Sequence, residues 1–226
     1  MNIIIILVRP VVPENIGFVC RAMYNMGFEE LRIVDSDKHT KKGARNTAYK
    51  VHHILENADQ YHNLSEATED LDLIIGTTAK ERRLHMDHLP VAKLHAFLDQ
   101  RKGDFRNVGL VFGSESDGLT LEEENLCHVL STIPMAHGYP SMNLSHSAAI
   151  YAYELSKNKP IESEGDNQEP GRYRAFAEQT EQFLEKLEVK DRQPGLYQQV
   201  KDRMLRMSAK DIGLFMSIAR YLRRRI

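Results

Sequence analysis

The chain has 226 residues, enough to bury the core of one α/β domain with a small second unit. Hydrophobic and charged fractions of 42% and 27% are ordinary for a globular protein, and no apolar run approaches the roughly 20 residues that cross a bilayer. A net charge of −2 gives no overall signature of a nucleic-acid binder, but the charge is unevenly spread. Residues 1–169 hold 17 Lys/Arg against 25 Asp/Glu, a balance of −8, whereas residues 170–226 hold 13 against 7, a balance of +6. A basic tail on an acidic body suits contact with a polyanion and equally suits a solvated helical surface.

The apolar start, Ile3–Val8, lacks a basic leader and runs into Arg9 and Pro10, so it reads as a buried first strand rather than a signal peptide. A helix follows, with Ile16, Val19, Cys20, Met23 and Met26 at three- and four-residue spacing and Gly27 as its stop. Further strands are expected at Leu31–Val34, Leu71–Ile75, Val108–Phe112 and Val129–Ile133, with helices at about Ala44–Leu55, Pro90–Gln100, Leu121–Cys127 and Asn143–Ser156. Thr120 and Glu123 have capping-box spacing. Short continuous apolar strands alternating with helices describe an α/β fold, a parallel sheet flanked by helices, over residues 1–157. Residues 158–170 are polar, contain two prolines and read as a linker; residues 171–226 read as a basic helical extension. The extension's helices are expected at Tyr173–Leu187, at Leu196–Met207 and from Ser208 onward, the last with Ile212, Phe215, Met216, Ala219 and Leu222 on one stripe. Cys20 and Cys127 are too few for a disulfide framework, which fits a cytoplasmic protein, and they read as small buried hydrophobes.

Ligands of parallel sheets bind at the carboxyl ends of strands. Four small, polar segments fall there: Arg9–Ala22, Gly76–Ala79, Gly113–Leu119 and Pro134–Ser145. No G-x-G-x-x-G and no G-x-x-x-x-G-K-[ST] occurs, which argues against a dinucleotide site and a P-loop. Glu115 stands where a nucleophile elbow needs serine. His52, His53 and Glu56, or His85 and His88, lack a third partner, so no metal site is expected.

Taken together, the strand-end segments resemble the SPOUT superfamily of RNA methyltransferases, in its TrmH/TrmJ-like ribose 2′-O-methylating branch. The motifs are N-I-G-x-x-x-R-A at Asn15–Ala22, L-V-F-G-x-E-x-x-G-L at Leu110–Leu119, and I-P-M…Y-P-S-M-N-L-S…A-Y-E-L at Ile133–Leu155. Met142 replaces the usual Leu, and Ser114 stands where Arg is frequent. The resemblance implies a C-terminal trefoil knot, S-adenosyl-L-methionine as methyl donor, a homodimer, and RNA as substrate, with position 32 of a tRNA anticodon loop the leading target. An rRNA target, a base-methylating relative and a non-catalytic RNA-binding protein on the same fold are the alternatives.

By the same resemblance, Thr77, Thr78, Ala79, Gly113, Ile133, Pro140, Ser141 and Met142 would contact the cofactor. Gly76, Gly113 and Gly118 suit close approach of backbone to a ligand. Arg21 corresponds to the family's catalytic arginine; a guanidinium hardly deprotonates, so binding a phosphate beside the reacting hydroxyl is the chemically easier role. Asn15 would cap its helix or orient that arginine, Gly17 would leave room for RNA or a partner subunit, and Glu115 would pair with Arg21 or accept backbone N–H groups. Ser141 and Asn143 would close the site, Asn143 doubling as a helix cap. Lys80, Arg82 and Arg83, and at the far end Arg220, Arg223 and Arg224, are the expected RNA contacts.

Overall fold

The computed structural model describes residues 1–79, 88–101, 103–136, 142–156, 172–186, 188–204 and 212. The elements run β1 Asn2–Val8, α1 Pro13–Asn25, β2 Leu31–Val34, α2 Lys42–Thr47, α3 His52–Glu56, β3 Asp59–Tyr61, α4 Leu64–Ala67, β4 Leu73–Thr77, β5 Leu89–Pro90, α5 Val91–Asp99, β6 Asn107–Phe112, α6 Leu121–Leu126, β7 Val129–Thr132 and α7 Leu144–Ser156. Beyond these lie α8 Arg172–Lys186, α9 Val189–Arg192 and α10 Pro194–Met204.

Seven strands form one sheet in the order β3-β2-β1-β6-β4-β7-β5, and every pairing is parallel. The central strands are buried on both faces, which is why β1 and β6 read as unbroken apolar runs rather than alternating ones. Alternate residues of β1 divide between two cores. Ile3, Ile5 and Leu7 face α1, α5 and α7, while Ile4, Ile6 and Val8 face a smaller cluster with Leu64, Ala67, Leu71 and Leu130. Phe176 of α8 and Ile212 are buried in the larger of the two.

The expected strands are all present within two residues of their ends. The two edge strands β3 and β5 were not expected from the sequence, because they are two or three residues long and only partly covered. The single helix expected over Ala44–Leu55 is instead two short ones, broken where Lys50 takes a left-handed φ of 68°. The capping box is present as expected: the Thr120 side chain accepts from the Glu123 backbone, and Glu123 accepts in return from the Thr120 N–H. Both cysteines are buried thiols. Burial pushes the Cys20 thiol up to about 12 and the Cys127 thiol higher still, so neither is a reactive nucleophile at neutral pH.

Gly17 has a role different from the expected one. A Cβ there would lie 2.1 Å from Thr47 Oγ1 and 2.2 Å from the Ala44 carbonyl oxygen. Its missing side chain lets α1 lie directly against α2 of the same chain, and the Thr47 hydroxyl donates to the Glu14 carbonyl across that contact. The space is therefore already filled, and neither RNA nor a second subunit occupies it.

Candidate active site

Three strand ends converge on one cleft of about 280 Å³, near the small end of ordinary ligand sites of roughly 300–1,000 Å³. The loop after β4 supplies Thr77, Thr78 and Ala79; the loop after β6 supplies Gly113 to Leu119; Ile133 and Met135 follow β7. Met142, Leu144, Ser147 and Tyr151 close it from the start of α7, and Phe112 and Glu124 also line it. Neighbouring strands β4, β6 and β7 end side by side, so their loops gather into one crevice at the carboxyl edge of the sheet.

The second motif folds as a tight turn for a local reason. The Gly118 N–H donates to the Ser114 carbonyl at 2.9 Å, and Gly118 takes a φ of 74°, where a side chain is strained. A Cβ on Gly113 would meet the Gly118 carbonyl carbon at 2.1 Å, and one on Gly76 would meet Cys127 Sγ at 2.6 Å. At Gly113 and Gly76 the missing side chains let the protein's own loops approach one another, and Gly113 and Gly118 also line the cleft.

Glu115, between those glycines, clamps the first motif to the second. Its Oε2 accepts from the Val11 N–H at 2.8 Å, and its Oε1 accepts from the Val12 N–H at 3.2 Å and from Asn15 Nδ2 at 2.9 Å. Asn143 Nδ2 in turn donates to Asn15 Oδ1 at 3.0 Å. The Asn143 Oδ1 accepts from the Ser145 N–H at 2.8 Å and the Ser145 hydroxyl at 2.7 Å, which caps α7. Asn143 thus both caps α7 and ties it to the first motif. Asn15 does not cap its helix: Val12 is the N-cap of α1, without a side-chain bond, and Pro13 begins the helix.

A second clamp was not anticipated from the sequence. Arg9, held at a left-handed φ of 48°, makes a bidentate pair with Glu123, whose Oε2 lies 2.9 Å from Arg9 Nη2. Burial opposes ionisation of Glu123, but hydrogen bonds from Arg9 and from Thr120 outweigh it and hold the carboxyl below the usual range. Deeper in the cleft, burial pushes the Tyr151 phenol up, so it remains neutral and donates a hydrogen bond to Ser131 Oγ at 3.1 Å.

Arg21 stands apart from this constellation. It is exposed, and six residues beyond Asn15 places it roughly 9 Å further along α1 and about 120° around it. Glu115 does not pair with it. On the same solvent face lie Phe18 and Tyr24, 44% and 49% exposed. Pro140, Ser141, Lys80, Arg82, Arg83, Arg220, Arg223 and Arg224 lie outside the described residues. Phe112, Asp117, Leu119, Glu124 and Met135 line the cleft but were given no role in the sequence reading; their position after, or packed beneath, the same three strand ends was the available signal. His52 and His53, the imitation metal ligands, are accounted for by a bond to the Arg45 carbonyl and an edge contact with Tyr24.

The donor set of the cleft decides what chemistry fits. Among the described lining residues there are three carboxylates, Glu115, Asp117 and Glu124, and no lysine, arginine or histidine. A phosphate-bearing ligand would meet repulsion there, whereas a cation with an apolar body would not. Fold and cleft together define a parallel α/β protein with a small-ligand site at the carboxyl edge of its sheet.

The chain belongs to the SpoU rRNA Methylase family, which it matches over residues 2–153. It is 39% identical over 158 residues to the tRNA (cytidine-2′-O-)-methyltransferase TrmJ of Methanocaldococcus jannaschii, covering 69% of this chain and 67% of that protein. A tRNA/rRNA methyltransferase of Escherichia coli named LasT, described as uncharacterized, is 39% identical over 156 residues, covering 69% of this chain and 68% of its own length. The crystal structure of TrmJ from Z. mobilis superposes with a TM-score of 0.66 at 25% identity, covering 99% of this chain and 100% of that one.

Proposed function

We propose that this protein transfers a methyl group from S-adenosyl-L-methionine to a ribose 2′-hydroxyl of tRNA, with a pyrimidine at position 32 of the anticodon loop as the target. The observation that carries this reading is the joining of an acidic, cation-compatible cleft to the Asn15–Glu115–Asn143 chain, which binds all three motifs into one unit. Relatives that share the family and act on tRNA ribose support the choice of substrate.

Thr77, Thr78, Ala79, Gly113, Ile133 and Met142 would hold the methyl donor, together with Pro140 and Ser141. The donor supplies a methyl group already activated by its sulfonium charge. The protein's remaining task is to place the hydroxyl in line and ease loss of its proton. Arg21 serves by binding the phosphate beside that hydroxyl and lowering the cost of negative charge on the oxygen. Because Arg21 sits on the solvent face of α1, away from Glu115, it serves a cleft on a second copy of the chain, in a homodimer that buries Phe18 and Tyr24. Glu115, Asn15 and Asn143 fix the loops that shape the site, and Ser141 contributes hydrogen bonds to substrate or donor.

The family resemblance further supports a trefoil knot closing the chain around residues 108–156. Residues 1–157 form the methyltransferase domain, 158–170 a linker and 171–226 a helical extension; the match of Z. mobilis TrmJ to 99% of the chain supports a shared tail. In this arrangement Lys80, Arg82 and Arg83 grip phosphates near the target, and Arg220, Arg223 and Arg224 hold a more distant part of the RNA in the cytoplasm.

The test is methyl transfer to unmodified tRNA and rRNA, with nucleosides mapped by mass spectrometry. A 2′-O-methylated pyrimidine at position 32 is the expected product. Methylation of rRNA alone, or of a base, overturns the substrate assignment, and RNA binding without transfer overturns the enzyme.

A further inference from the structure

Among the described lining residues, Glu124 is the carboxylate that is buried as a residue and has no hydrogen bond to its side chain. Glu115 is tied up by three N–H donors, and Asp117, which is exposed, accepts from the Ser116 hydroxyl at 2.6 Å. Glu124 is only 4% exposed as a residue, its carboxylate oxygens are not sealed off from the cleft, and no hydrogen bond or ion pair joins them to the described residues. The backbone of Glu124 is satisfied within α6: its N–H donates to the Thr120 carbonyl at 2.9 Å, and its carbonyl accepts from the Cys127 N–H at 3.2 Å. Apart from Glu115 and Asp117, the other described residues of the cleft lining are apolar or neutral, Phe112, Leu119, Leu144 and Tyr151 among them.

A buried carboxylate with no partner destabilises a folded protein, and leucine at this position would fill the space without that cost. Such a group is explained when something that enters the cleft supplies the missing positive charge. The methyl donor carries a net positive charge because of its sulfonium; the product, S-adenosylhomocysteine, is a neutral thioether with the same adenosine and amino-acid ends. Glu124 lines the same cleft as Gly113, Ile133 and Met142, the residues proposed to hold the donor, so a sulfonium bound among them shares that space with the carboxylate. In the low-dielectric interior a charge pair is felt across several ångströms without direct contact.

We infer that Glu124 makes the cleft charge-selective, favouring the cationic methyl donor over its neutral product. This rests on the placement of the donor in this cleft. The carboxylate acts as a fixed negative charge, so product leaves a site in which that charge has lost its partner, and the next donor displaces it readily.

The experiment is isothermal titration of the full-length protein with S-adenosylmethionine and with S-adenosylhomocysteine, together with thermal unfolding without ligand. The variants are Glu124→Gln, Glu124→Leu and Ala79→Trp, the last filling the cleft from its exposed edge. Glu124→Gln and Glu124→Leu are expected to lower the preference for donor over product roughly tenfold or more, chiefly by weakening the donor. They are also expected to unfold at the same or a higher temperature, since an unpaired charge has been removed. An unchanged preference in both variants, or a lower unfolding temperature in both, overturns the inference. If Ala79→Trp binds the donor as tightly as the unaltered protein, the donor's site is elsewhere and the reading beneath the inference fails. If Ala79→Trp loses the donor while Glu124→Gln keeps the original preference, the inference alone fails.

Discussion

Asn143, at the start of α7, donates through Nδ2 to Asn15 Oδ1 at 3.0 Å, across 128 positions of sequence. Asn15 passes the connection on to Glu115, so a chain of three polar side chains joins the first, second and third motifs. The link is mechanical as well as electrostatic, because each member also fixes backbone: Glu115 holds the loop before α1, and Asn143 holds the first turn of α7. Two consequences concern these residues, and three concern their surroundings.

Replacing Glu115 by alanine leaves two backbone N–H groups and the Asn15 amide without their acceptor. These bonds are partly exposed, so water compensates in part and the expected loss of stability is about 1–3 kcal/mol in urea unfolding. Methyl transfer should fall by more than stability does, because the loop before α1 loses its position. A Glu115→Ala protein with wild-type turnover would separate the clamp from catalysis.

Asn15→Leu removes both a donor to Glu115 and an acceptor for Asn143. A double-mutant cycle of Asn15→Leu with Asn143→Ala should show coupling on the order of 1 kcal/mol, as expected of side chains in one network. Additive effects would show that the two asparagines work independently.

The pair between Arg9 and Glu123 predicts a pH dependence. The Glu123 carboxyl is held below its ordinary value in the folded protein, so the pair's contribution is present above the unfolded carboxylate range and is lost as pH falls through the folded value. Glu123→Gln should therefore cost about 1–2 kcal/mol at neutral pH. That cost should begin to shrink as the pH falls below roughly 4 and should vanish only at the lower pH where the folded group itself becomes neutral. Urea titrations at several pH values measure it; a constant difference would show that the pair's charge is unimportant.

Gly17→Ala would drive a methyl group into the Ala44 carbonyl and the Thr47 hydroxyl. Separating α1 from α2 should cost about 2–3 kcal/mol or more, seen as a lower denaturation midpoint. Wild-type stability would mean that the two helices shift apart without penalty.

Arg21→Ala should leave stability and donor binding unchanged, because the side chain is exposed and lies apart from the cleft, while methyl transfer drops by about two orders of magnitude or more. Mixing this variant with Asn143→Ala tests the proposed homodimer and its subunit arrangement. Mixed dimers that recover activity place Arg21 in the partner's site; no recovery at all places it in its own.

The strands were legible in the sequence because strands buried on both faces must be apolar along their whole length, as Ile3–Val8 and Val108–Phe112 are. The Thr120–Glu123 cap was legible because capping is local and has a fixed spacing. The short edge strands and the break at Lys50 were not, since neither carries a periodic apolar signal.

The same division holds at the site. Sequence alone determined which segments end strands, and hence that residues 77–79, 113–119 and 133–135 would meet at one edge of the sheet. Only tertiary structure decided what each residue does there. That Glu115 takes the N–H groups of Val11 and Val12, that Arg9 takes Glu123, and that Glu124 lines the cleft with no hydrogen bond to it among the described residues are facts about groups distant in sequence. Polar pairing over such separations is set by strand order and crossing geometry, and no local pattern of residues encodes either.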